Sequence, residues 1–142
     1  MTHEYTVELR ISGVNLTPSE LSDDLGLRPS TVREVGDAVG SRRFMQAVWG
    51  YNGSESDEPP IWGSLEEGLA FVLANLAPVR PNLEKYKSRF DMVWWCGHFQ
   101  SSFDGGPTLS AALLTELGEF GVPLFIDNYL SEEAENKGSS ES

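Results

Sequence analysis

Residues 5–11 set Tyr5, Val7, Leu9 and Ile11 against Thr6, Glu8 and Arg10, the period of a strand with one buried face. "LTPSE" then opens a helix. Thr17 can cap, Pro18 suits the first helical position, Glu20 completes a capping box, and Leu16 and Leu21 have the spacing of a hydrophobic staple. This helix buries Leu21 and Leu25 and stops at Gly26, which adopts a left-handed closing conformation without strain. The stretch from Arg28 to Arg43 is turn-rich and irregular. Residues 44–51 read as a second strand with Met45, Ala47, Trp49 and Tyr51 on one face, followed by a polar loop over 52–60.

An amphipathic helix over 64–77 carries the stripe Leu65, Leu69, Val72, Leu73 and Leu76, with a second capping box from Ser64 to Glu67. Pro78 and Pro81 end it, and the residues after Pro81 suit another helical turn or two. A third strand over 92–100, a loop over 101–107, a helix over 108–121 and a fourth strand over 122–130 complete the pattern. Leu21, Leu25 and Gly26 match Leu113, Leu117 and Gly118 at a constant offset. Two strand–helix–strand halves of this kind predict an α+β, ferredoxin-like fold: a four-stranded sheet with helices on one face and an extra connecting helix. Residues 1–130 form a single α+β domain on this reading. The Ser-, Glu- and Gly-rich stretch over 131–142 reads as a disordered acidic tail.

The chain has 142 residues, enough to bury a core without disulfides, and its one cysteine excludes an internal bridge. That suits a cytoplasmic protein. The first residues lack the basic stretch and apolar core of a secretory signal, and no apolar run reaches bilayer length. The formal charge of −12 repels nucleic acids and anionic membranes and attracts basic partners; it also favours solubility. Glu132, Glu133, Glu135 and Glu141 account for only part of it.

"WWCGHF" over 94–99 resembles the opening of a redox motif, but a redox site needs a second cysteine at a helix start. As a strand, it sends Met92, Trp94, Cys96, His98 and Gln100 one way and Val93, Trp95, Gly97 and Phe99 the other. Cys96 and His98, parallel on one strand face, are poorly placed for a nucleophile pair. Gly97 marks a bulge or room for a packed ring, which the neighbouring tryptophans could supply. Neither Asp23–Asp24 nor residues 55–58 have the spacing of a calcium loop, and residues 35–43 lack the lysine of a phosphate loop. With no nucleophile elbow and no distinct carboxylate pair, the reading is non-enzymatic, without cofactor or metal.

Arg28, Arg33, Arg42 and Arg43 can pair internally with Asp37 or Glu34, or receive an anion. Trp49 and Tyr51, beside the polar loop, suit either the core or a contact surface.

The run Leu25-Gly26-Leu27-Arg28-Pro29-Ser30 with Gly36 following, Trp49 in the second strand and the closing Asp127-x-Tyr129 resemble the family known as domain of unknown function 4279, over about residues 4–130. The resemblance implies a small bacterial single-domain protein with no established catalytic residues. Some such relatives are associated with toxin immunity. The acidic loop over 52–60 and the acidic tail depart from the usual pattern. The leading expectation is a cytoplasmic binding protein, an immunity protein occluding a basic toxin, with Trp49, Tyr51, Glu55, Asp57 and Glu58 as contacts. The alternative is a small-molecule or anion-binding module with the arginine cluster beside Trp49.

Overall fold

The computed structural model describes residues 3–130, so the acidic tail expected over 131–142 lies outside the described residues. The chain runs β1 (His3–Gly13), α1 (Pro18–Leu25), β2 (Thr31–Arg33), β3 (Ala38–Val39), β4 (Arg42–Arg43) and β5 (Ala47–Tyr51). It continues through α2 (Leu65–Leu76), a 3-10 turn (Ala77–Val79), α3 (Arg80–Lys87), β6 (Asp91–Gln100), α4 (Ala111–Phe120) and β7 (Leu124–Leu130). The fold is mixed α+β. A five-stranded sheet has the order β2-β5-β1-β6-β7, and β3 and β4 form a separate two-stranded ribbon.

The expected four-stranded sheet is thereby corrected. Thr31–Arg33, inside the stretch read as irregular, pairs antiparallel with β5 and becomes an edge strand. Three residues are too few for an alternation to show. The arrangement also departs from ferredoxin-like halves, in which another strand splits each parallel pair. Here β6 and β7 are direct parallel neighbours, and β1 pairs antiparallel with both β5 and β6.

Helix ends follow local chemistry with two exceptions. Ser64 accepts from the Glu67 N–H at 3.3 Å and Ser110 from the Leu113 N–H at 3.1 Å. The Thr17 side chain makes no cap bond; the Glu20 N–H donates to the Thr17 carbonyl at 3.0 Å instead. Gly26 closes α1 at φ 66°, but its expected counterpart Gly118 lies inside α4, which runs on to Phe120 and closes at Gly121. The repeated Leu-Leu-Gly spacing therefore marks a shared buried stripe and not a shared helix end.

One face of the sheet makes the core. Tyr5, Val7, Leu9 and Ile11 lie beside Trp49 and Tyr51 of β5 and Trp94 and Cys96 of β6, all buried. The helices cover this face. Gly68 of α2 sits so close to Val7 that a Cβ there would come within 2.8 Å. Ser22 of α1 accepts from Trp49 Nε1 at 3.0 Å, and Phe120 of α4 packs on Trp94 with ring centroids 5.3 Å apart. Met45, expected in line with Ala47, precedes β5 and is 79% exposed.

The two fully buried tryptophans differ in one respect. Trp49 Nε1 has Ser22, whereas buried Trp94 Nε1 has no acceptor among the described residues. A buried unpaired N–H costs about 1–3 kcal/mol, which offsets the volume lost on replacing the indole. Trp94→Phe is therefore expected to destabilise by roughly 1 kcal/mol less than Trp49→Phe in urea unfolding. Equal losses would show that Trp94 Nε1 is satisfied.

Candidate functional site

The other sheet face carries no helix among the described residues. Its residues fall into cross-strand rows fixed by register: Glu8, Trp95 and Phe125; Thr6, Gly97 and Asp127; Glu4, Phe99 and Tyr129. Toward the other edge, Arg10 lies beside Gly50 and Gly50 beside Thr31. Phe99, Phe125 and Tyr129 remain 40–45% exposed, high for large aromatic side chains.

Glu8 organises this face. Its Oε1 accepts from Arg10 Nε at 2.6 Å, and its Oε2 accepts from Ser30 Oγ at 2.7 Å and Thr31 Oγ1 at 2.6 Å. Glycine at position 50 permits this, because a Cβ there would meet the Glu8 carboxyl carbon at 2.7 Å. The Arg10 guanidinium lies over the Trp95 ring, 4.4 Å from its centroid, and Trp95 packs on Phe125 at 4.6 Å. Gly97 makes room for a ring, as its strand position suggested, but the ring is that of Phe99, not of a tryptophan. A Cβ on Gly97 would come within 2.9 Å of Phe99 Cε2 and 2.6 Å of Thr6 Oγ1. Phe99 and Tyr129 stack with centroids 5.0 Å apart at 11°. The Tyr129 hydroxyl donates to Asp127, which raises the Tyr129 pKa.

The 52–60 loop walls the face. After Tyr51 the chain leaves the sheet and rejoins β1 at Trp62, whose backbone exchanges two 2.8 Å hydrogen bonds with Tyr5. Arg28 pins the loop by donating to the Glu55 carbonyl and, at 3.0 Å, to the Asp57 carboxylate. Between loop and sheet lies a depression of about 420 Å³ with Glu8, Trp95, Phe99 and Tyr129 on one side and Arg28, Asp57 and Pro59 on the other. A second, shallower one of about 980 Å³ is lined by Tyr51, Glu55, Glu58, Phe71 and Asn75.

The expected contact residues are thus partly brought together. Glu55, Asp57 and Glu58 are exposed at these two depressions. Trp49 corrects the expectation: it is wholly buried under α1 and offers no surface, since its side of β5 faces the helices. Tyr51 is also a core residue, 7% exposed, that reaches only the edge of the second depression; burial raises its pKa. The arginines do not converge on either depression. Arg28 lines both, while Arg33, Arg42 and Arg43 line neither; Arg33 and Arg43 donate to the Val32 and Gly36 carbonyls. Of the two partners expected for them, Asp37 or Glu34, the Asp37 carboxylate accepts from the Glu34 N–H at 2.7 Å.

"WWCGHF" is a strand. Cys96 is buried and free, and burial pushes its thiol up to about 12. Its neighbour His98 is occupied elsewhere: Nδ1 donates to Asn128 Oδ1 at 2.8 Å, and Nε2 is 2.8 Å from His3 Nδ1. No cluster able to hold a metal occurs among the described residues, and no helix among them is long and apolar enough to cross a membrane.

Sequence reasoning missed Glu8, Trp95, Phe99 and Tyr129 as one surface. A signal was present, since apolar rings occupy both faces of β6 and the expected fold puts helices on only one of them. A family model described as Domain of unknown function (DUF4279) matches residues 3–131, and the chain belongs to that family. No curated protein and no solved structure matches it.

Two outcomes follow from this geometry. Glu8→Ala strands the Arg10, Ser30 and Thr31 donors and is expected to cost about 1–3 kcal/mol in denaturant unfolding, loosening the β2 edge. A loss of a few tenths would mean those donors find other acceptors. At pH 8 the Cys96 thiol is neutral and enclosed, so a disulfide reagent such as dithionitrobenzoate should label it only under denaturing conditions. Rapid labelling of the native protein would contradict the buried strand.

Proposed function

We propose that this member of the family is a non-enzymatic binding protein that receives a basic protein segment on its open sheet face. One observation carries the reading: exposed Phe99 and Tyr129 line a depression walled by a loop whose Glu55, Asp57 and Glu58 all face solvent, and exposed Phe125 lies on the same sheet face. Aromatic side chains supply contact area at an interface centre, and carboxylates around them steer a positively charged partner. The −12 charge extends that steering over the whole surface. The hold of three donors on Glu8, the central carboxylate of the face, supports a binding role. A cytoplasmic immunity role, with the face occluding a basic toxin, fits this chemistry. The alternative anion or small-molecule site has less support, since Trp49 is buried and only Arg28 of the four arginines reaches the depressions.

The test uses two columns, one bearing the full chain and one its Glu55→Ala/Asp57→Ala/Glu58→Ala variant, loaded with the same bacterial lysate at low salt. Basic proteins should be retained by the first column, released as salt rises, and lost from the second. Equal retention on both columns would sink the role of the loop.

A further inference from the structure

We infer that the basic segment enters this face through an arginine side chain laid on Phe99, between Glu4 and Asp127. The inference rests on the reading above that the partner is basic. Its ground is a repeat across the sheet. Glu8, Trp95 and Phe125 form one row, and Glu4, Phe99 and Tyr129 form the row four residues away along β1 and β6. Each row sets a carboxylate beside two aromatic rings.

The first row shows what such a row holds. The chain's own Arg10 bonds to Glu8 and lies 4.4 Å from the Trp95 centroid, so one guanidinium satisfies a carboxylate and a ring together. The second row presents the same groups to solvent. Glu4 is exposed, and Phe99 and Tyr129 are 40% and 45% exposed. Between the rows, Gly97 adds no side chain, and the Phe99 ring leans over it. Asp127 stands next to Gly97 in register and accepts from the Tyr129 hydroxyl, which fixes a carboxylate beside the ring pair. A guanidinium on Phe99 therefore has a carboxylate position on each neighbouring strand.

Arginine fits this arrangement better than lysine. The guanidinium is planar, stacks on a ring and forks to carboxylates, whereas the ammonium group is a strongly hydrated point charge. An anionic ligand would meet Glu4 and Asp127 on both sides.

The experiment is calorimetric titration of the full chain at low salt with two peptides of equal length, one alternating arginine and glycine, the other lysine and glycine. The arginine peptide should bind about threefold to tenfold more tightly. Phe99→Leu/Tyr129→Leu should bring the two peptides level, and Glu4→Gln, an exposed change that leaves both rings, should weaken the arginine peptide more than the lysine one. Circular dichroism confirms that each variant is folded. Equal affinity for both peptides on the natural chain would overturn the arginine site and leave the basic-partner reading standing. A preference that survives in both variants would place the arginine elsewhere and overturn the inference. Binding of neither peptide would overturn the basic-partner reading and the inference with it.

Discussion

Every face assignment in this molecule depends on the antiparallel register of β1 against β6, from His3 opposite Gln100 to Ser12 opposite Asp91. Side chains alternate with period two, so slipping that register by one residue would turn each strand's neighbours over. Leu9 and Trp94 would lose each other, and Glu8 would lose Trp95. Burial enforces the register on one side, where Leu9, Ile11, Trp49 and Trp94 are essentially inaccessible to water. A polar arrangement reinforces it on the other. Arg10 can reach both Glu8 and the Trp95 ring only while Glu8 and Trp95 stand side by side. Core and open face thus specify the same pairing for different physical reasons, which is the consistency expected of a sequence with one fold.

The open face is ordered from Glu8 outward. This carboxylate, 12% exposed, needs donors to compensate its lost hydration, and they come from three places in the chain: Arg10 within β1, Ser30 before β2, and Thr31 in it. Those bonds tie β2 down, and Arg28, two residues before Ser30, ties down the loop. The loop then has its own scaffold. Ser54 accepts from the Ser56 N–H at 3.1 Å, and Asn52 Oδ1 accepts from the Ser54 N–H at 2.8 Å. The acidic side chains at its tip are exposed, with Arg28–Asp57 as a solvent-exposed pair of small energetic weight.

Much of this was legible in the sequence and some was not. The alternation of Tyr5 to Ile11 and of Met92 to Gln100 is long enough to place both strands and their faces, and Ser64 announces α2 correctly. Thr31–Arg33 was invisible, because an edge strand of three residues is made by its partner and not by its own pattern. Trp49 shows the opposite difficulty. Its strand face was read correctly, but nothing in Trp49 and Tyr51 alone says whether a helix covers that face, and Ser22 of α1 does. The open face needed four strands to be seen at once: Glu8 and Thr31 are 23 positions apart, and Phe99 and Tyr129 meet only through the parallel pairing of β6 with β7. Local periodicity carries no information of that kind.

An exposed row of aromatic rings is a hazard as well as an opportunity, since apolar surface on one copy invites the same surface on another. The acidity of the chain bears on both. Like charge opposes pairing of two open faces, because it would bring together two sets of Glu4, Glu55, Asp57 and Glu58. The same carboxylates leave a basic surface as the complementary one, for which approach is favourable and self-association is not. If the partner is basic, as proposed, solubility and choice of partner are two consequences of one charge distribution. On the proposed reading, the rings can stay uncovered in the free protein because the groups that would select the partner also prevent the face from meeting itself.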